Sequence, residues 1–207
     1  MGNGNRGNTM IIKNGLVFTP EGKFEKKDLY VEGEYVAKET TDNKEVEAEG
    51  CYVIPGLVDI HFHGCVRHDM CDGTEESIQA LADYEAANGV LAICPATMTI
   101  PEEELFQAMK AAKEHKNGKG ADLVGINMEG PFINKEKKGA QKEEDIKLAD
   151  IELFHKLQEA AGGLIKLVDL APETEGAMEF INQEMCIRDS KHLIRIPIRQ
   201  NRNPKIT

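Results

Sequence analysis

The chain has 207 residues, 41% of them hydrophobic and 29% charged, with 25 Lys and Arg against 36 Asp and Glu for a net charge of -11. It can bury a core and is far from a disordered composition, and its acidity argues against nucleic acid as the main partner, since that binding rests on neutralising phosphates with Lys and Arg. No window approaches the ~18 uninterrupted apolar residues of a membrane span, and the polar stretch Met1 to Thr9 lacks the apolar region of a signal peptide.

Residues 1–9 read as a disordered leader, with the first apolar run beginning at Met10. Residues 10–50 read as a small β module. Met10 to Ile12 and Leu16 to Phe18 flank Lys13-Asn14-Gly15, and Asn-Gly is a strong hairpin signal. Leu29 to Val31 and Tyr35 to Ala37 flank a second turn at Glu32-Gly33-Glu34. The five cysteines sit mostly in apolar segments, Cys51 and Cys94 among them, which suits a reduced, cytoplasmic chain.

The rhythm changes at Cys51. Tyr52 to Ile54 and Leu57 to Ile60 form an apolar run broken by Pro55-Gly56. Thr74 to Asn88 predicts a helix, with Thr74 as N-cap, two glutamates in the first turn and Gly89 after its end. Val90 to Cys94 predicts a buried strand, Pro101 to His115 a helix with Pro at its start, and Asp122 to Met128 a further strand. A helix over Glu143 to Ala161 is expected to stop at Gly162-Gly163, followed by a strand over Leu164 to Leu170 and a helix over Glu173 to Ile181. Near-continuous apolar strands alternating with amphipathic helices mean an α/β chain with a parallel sheet. A doubly wound sheet and a (β/α) barrel are both open to it. A complete barrel takes about 250 residues, and only four βα units fit here.

Residues 183–207 differ in character: six Lys and Arg (Arg188, Lys191, Arg195, Arg199, Arg202 and Lys205) against Glu184 and Asp189 give +4, leaving -15 for the rest. The expectation is that the fold's sequence stops near Asn182 and an unrelated basic tail follows, as at a frameshift or chimeric gene end. A half barrel would leave sheet edges unpaired and apolar faces uncovered.

The sharpest motif is Pro55-Gly56-Leu57-Val58-Asp59-Ile60-His61-Phe62-His63-Gly64. Residues i and i+2 of a strand face one side, so His61 and His63 point together and can bind one metal ion through imidazole nitrogens. They end a strand just before a glycine turn, where barrel enzymes build their sites. Asp59 shares their parity and can orient a histidine from behind. The second motif is Asn127-Met128-Glu129-Gly130-Pro131-Phe132, in which Glu129 ends a buried strand and can supply an oxygen ligand. Lys135, Lys137 and Lys138 follow in the loop; alone they read as a solvated run, and beside a metal site they can face an anionic substrate. Cys65, His68 and Cys71 beside His63 have irregular spacing and no CxxC pair, so they do not read as a zinc knuckle. His115 and His155 read as ordinary helix residues. No phosphate-binding glycine loop and no G-x-S-x-G elbow is present.

At PGLVDIHFHG, the following HDMCDGT, CPATMT at 94–99, NMEGPFINKEKKGAQ at 127–141 and LAPE at 170–173, the chain resembles the amidohydrolase superfamily, and within it the N-acetylglucosamine-6-phosphate deacetylase family, over residues 10–182. The resemblance implies the first half of a metal-dependent (β/α)8 barrel over 51–182, about four βα units, preceded by a small β-sandwich segment at 10–50. It implies hydrolysis of the 2-acetamido group of a phosphorylated amino sugar, a divalent metal cofactor, zinc or iron, and a homodimer. Carried over by residue, Glu129 matches the family's metal-binding glutamate, His61 and His63 a pair that some members use for a second metal, and Ala140 and Gln141 the loop that contacts the sugar. In the family, two more metal histidines and the catalytic aspartate come from segments this chain lacks; His192 is given no role, no catalytic residue is assigned, and the chain alone is expected to be inactive. A cyclic-amide hydrolase of the same superfamily would need a bridging lysine at a strand end, and none is predicted. A non-catalytic or misassembled fragment is the reading from another class.

Overall fold

The computed structural model describes residues 9–33, 35–40, 44–186 and 193–195, with main chain alone for 185, 186 and 193–195. All of the leader but Thr9 and most of the basic tail, His192 included, lie outside the described residues. The chain divides into two units, Met1–Pro55 and Gly56–Thr207.

In the first unit, β1 (Met10–Phe18) pairs antiparallel with β2 (Phe24–Glu32), and β2 with β3 (Tyr35–Ala37). β4 (Glu45–Glu47) and β5 (Tyr52–Val53) run parallel to β1. The turn at Gly33 is present, with Gly33 at φ 66° joining Glu32 to its partner Tyr35. The hairpin expected at Asn14-Gly15 is not: β1 runs straight through it. Between the pairs Ile12–Leu29 and Gly15–Lys27, two residues of β1 oppose one of β2, which makes a β-bulge. Asn14 takes the left-handed conformation at φ 61° that asparagine tolerates. Its main-chain N–H donates to Asp28 Oδ1 at 2.9 Å and its Nδ2 to the Glu47 carboxylate at 3.0 Å, so tertiary partners absorb the turn signal.

The second unit opens with β6 (Leu57–Asp59) and a small hairpin of β7 (Gly64–Cys65) and β8 (His68–Asp69). Then follow α1 (Glu75–Ala87), β9 (Val90–Ile93), α2 (Glu102–Glu114), β10 (Asp122–Leu123), β11 (Ile126–Glu129), α3 (Ile151–Ala160), β12 (Ile165–Asp169), α4 (Ala177–Cys186) and β13 (Leu193–Arg195). β6 and β10 flank β9 in parallel, while β12 lies parallel between β11 and β13. A parallel bridge between Ala96 and Asn127 links the two groups, so the strands stand side by side in chain order. In β11 Ile126, Asn127 and Met128 are all fully buried, as for a parallel strand covered on both faces. The core packs this sheet against the helices, with Ile78 and Leu81 from α1, Leu105 and Met109 from α2, Phe154 and Leu157 from α3 and Phe180 from α4. Leu57, Val58 and Leu91 at the β6 side are half or more exposed.

Capping explains the boundaries. Thr74 accepts from Ser77 N as predicted, and Gly89 follows the helix at φ 87°. Three boundaries differ from expectation. The strand over 122–128 is two strands. At Gly125 the chain passes so close to Cys94 and Lys166 that a Cβ would lie 3.0 and 2.6 Å from their side chains, and there it leaves β9 for β12. The helix expected from Glu143 starts only at Ile151. Lys147 N instead donates to Pro131 O at 3.0 Å, and Asp150 caps the shorter helix by accepting from Glu152 N and Leu153 N. The last helix starts at Ala177, since Gly176 before it has a left-handed φ of 78°. Asp150→Ala is expected to lower stability by about 1 kcal/mol in chemical denaturation, with Asp150→Asn close to the parent, because both Asp and Asn cap well.

Candidate metal centre

His61 and His63 lie just beyond β6, on a segment held alongside residues 94–96. Cys94 N donates to Asp59 O at 2.8 Å, Ala96 N to Phe62 O at 2.7 Å, and Met70 N to His63 O at 3.0 Å. This keeps the chain extended after the strand ends, so the two rings still share a side, with centroids 5.3 Å apart. Glu129 ends β11, in register with Asp169 at the end of β12.

These placements bring two imidazoles to one carboxylate oxygen. Glu129 Oε2 lies 3.1 Å from His61 Nε2 and 3.3 Å from His63 Nε2. One ligand atom from each of the three residues falls within a 4.8 Å span, the one such group of His, Cys, Asp or Glu among the described residues. Two nitrogens and one carboxylate oxygen form a donor set that zinc and iron accept, and all three side chains are partly open to solvent, leaving a face for substrate. The residues therefore fit a divalent ion.

The surroundings were only partly foreseen. Asp59 works on the main chain and not on a ring: its Oδ1 accepts from His61 N at 3.0 Å. The ring of His61 is met instead by Asn127, whose Nδ2 donates to Ile60 O at 3.0 Å and lies 2.8 Å from His61 Nδ1. Asp169 Oδ2 stands 3.6 Å from the same Nδ1. From sequence, Asn127 and Asp169 have no role, although each is the next-to-last residue of a predicted strand beside a motif. Gln141 Nε2 donates to Glu129 Oε1 at 2.8 Å, whereas Ala140 is exposed.

His61, Glu129 and Asp169 line a cleft of about 560 Å³ together with Lys137, Lys138 and Glu173. Lys135 is exposed on the adjoining helical turn and does not line it. The carboxyl of Glu173 is held below its ordinary value by hydrogen bonds from its own main chain and from Asn134. Of the other candidates, His68, Cys71 and His155 have partners elsewhere. His68 Nδ1 lies 3.0 Å from Ser77 Oγ in the cap of α1. Cys71 Sγ accepts from Met98 N, and burial pushes its thiol up to about 12. His155 faces Glu184 at 3.5 Å, and His115 ends α2.

No family model matches the chain. It is 35% identical over 177 residues to the N-acetylglucosamine-6-phosphate deacetylase of Bacillus subtilis (strain 168), covering 83% of this chain and 43% of that protein. It is 28% identical over 176 residues to the N-acetylgalactosamine-6-phosphate deacetylase of Escherichia coli O157:H7, covering 84% and 47%. The fold matches a mutant N-acetyl-D-glucosamine-6-phosphate deacetylase of Mycobacterium smegmatis, solved in complex with N-acetyl-D-glucosamine-6-phosphate. The TM-score is 0.77 at 21% identity, over 92% of this chain and 50% of that one. No helix among the described residues is long and apolar enough to cross a membrane. The chain is a homologue of the N-acetylglucosamine-6-phosphate deacetylases, and it spans about half the length of the curated relatives it matches.

Proposed function

We propose that this chain belongs to a metal-dependent hydrolase that removes the acetyl group of N-acetylglucosamine 6-phosphate, giving glucosamine 6-phosphate and acetate. The observation that carries the reading is the convergence of His61, His63 and Glu129 on one point beside a cleft flanked by Lys137 and Lys138, in a homologue of deacetylases named for that substrate. His61, His63 and Glu129 would hold the ion, zinc or iron. When bound, the ion supplies a Lewis acid for the amide carbonyl and lowers the pKa of water towards ~7.

This chain's own residues supply orientation and charge. Asn127 and Asp59 set the pose of His61. Lys137 and Lys138 bring positive charge to the cleft that would receive the phosphate, and Ala140 and Gln141 stand in the loop on the sugar side. In the net reaction water adds across the amide, the C–N bond breaks, acetate leaves and the amine keeps the sugar. No described residue is assigned as the base that moves the water's proton, so the 207 residues alone are proposed to bind and not to turn over. Strands standing in chain order, with the ligands at the ends of β6 and β11, support reading the second unit as the opening of a (β/α)8 barrel. The first unit then belongs to a small β-sandwich, and a homodimer is proposed for the assembled enzyme on the family resemblance alone.

The test is thermal unfolding of the chain with Zn²⁺ or Fe²⁺, followed by the sugar. About one equivalent of metal is expected to raise the melting temperature. N-acetylglucosamine 6-phosphate should raise it further, and unphosphorylated N-acetylglucosamine should not. Equal effects of the two sugars, or none, would overturn the substrate reading. Metal-dependent acetate release would overturn the inactivity of the chain alone.

A further inference from the structure

Gln141 lies in the loop after Lys138 and is 5% exposed. Its amide is engaged at both ends. Oε1 accepts from the main-chain N–H of Thr99 at 2.6 Å, and Nε2 donates to Glu129 Oε1 at 2.8 Å. A main-chain N–H can only donate, so the Thr99 contact decides which end of the amide faces the carboxylate. Thr99 is itself buried and stands against Gly130, where a Cβ would run into Thr99 Oγ1. The residue after Glu129 thus packs on the residue that orients Gln141.

The two oxygens of Glu129 are thereby made different. Oε1 is capped by an amide N–H, while Oε2 is the oxygen both imidazoles approach. We propose that Gln141 is a positioning residue of the metal centre: it holds Oε1 so that Glu129 offers Oε2 alone, as a single-oxygen ligand of fixed direction. The inference rests on the metal reading above and deepens it. With both ends of its side chain so used, contact with the sugar falls to Ala140 and to the main chain of the loop. A ligand held from behind by a hydrogen bond loses no freedom on binding the ion, and removing such an outer contact costs about 10–100-fold in metal affinity.

The experiment measures Zn²⁺ affinity of the full chain by competition with a chromophoric chelator, together with the visible absorption of the Co²⁺-loaded protein. Gln141→Leu is expected to weaken Zn²⁺ binding by about 10–100-fold and to alter the Co²⁺ spectrum, as a freed Glu129 can turn both oxygens to the ion. Gln141→His keeps one acceptor and one donor and should recover most of the affinity and the parental spectrum, which a merely space-filling role would not require. If Gln141→Leu does not unfold cooperatively, Gln141→Met serves in its place under the same criterion. Tight binding by the parent, with unchanged affinity and spectrum in the apolar variant, would overturn this inference alone. A parent that binds no Zn²⁺ would overturn the metal reading and this inference with it.

Discussion

Glu129→Ala is expected to abolish metal binding, with an affinity loss of more than about 100-fold, beyond the range for an outer contact. Glu129 contributes the one anionic ligand among the three and the one atom that both imidazoles meet. Without it, two neutral nitrogens remain, on a pair of rings that no carboxylate holds together. Glu129→Gln separates charge from shape, since it preserves volume and one oxygen but removes the negative charge. It should also bind poorly while unfolding near the parental apo midpoint. Isothermal titration with Zn²⁺ on the full chain checks both variants. Retention of parental affinity by Glu129→Ala would mean that the His-His-Glu cluster is not the metal centre.

Phe132→Ala is expected to have the largest effect on stability, about 3–5 kcal/mol by urea denaturation, from lost burial plus the cavity left behind. Phe132 is fully buried three residues after Glu129, and its ring centroid lies 5.5 Å from that of Phe180, which in turn lies 5.4 Å from Phe154. One aromatic cluster therefore ties the loop after β11 to α3 and α4. The main chain here also accepts from distant segments, Phe132 O from Ala171 N and Pro131 O from Lys147 N. Because this loop carries the chain from Glu129 to Gln141, the variant should bind metal more weakly even where it remains folded. Phe132→Leu, which keeps most of the volume, should cost less than half as much. Equal stability of Phe132→Ala and the parent would show that the EGPF segment is not packed as described.

The order of elements in the second unit was legible because its signals are local. Thr74 before two glutamates, Gly89 after Asn88, and the Gly162-Gly163 stop each act within one helical turn. The expectation failed where a residue answers to a distant partner. Asn14 reads as a hairpin turn until Asp28 and Glu47 take its polar groups. Glu143 to Ala149 reads as helix until Pro131 O takes the N–H of Lys147. Gly125 reads as the middle of a strand until the close approach of Cys94 and Lys166 redirects the chain.

The same division runs through the site. Sequence alone determined that His61 and His63 share a side, because the period of an extended segment is two, and that Glu129 ends a buried strand, because apolar residues run up to it and Gly-Pro follows. It also determined the motifs that relate the chain to its homologues. Only the tertiary structure decided that Asn127 rather than Asp59 meets the ring of His61, that Asp169 stands behind it, and that Gln141 turns inward to cap Glu129. Those contacts join residues 12 to 108 positions apart, on strands brought side by side by burial of their apolar faces and on the segments that follow those strands. A hydrogen bond across such a distance depends on the register of β11 and β12 and on the path of the loop after Pro131, neither of which any local pattern encodes.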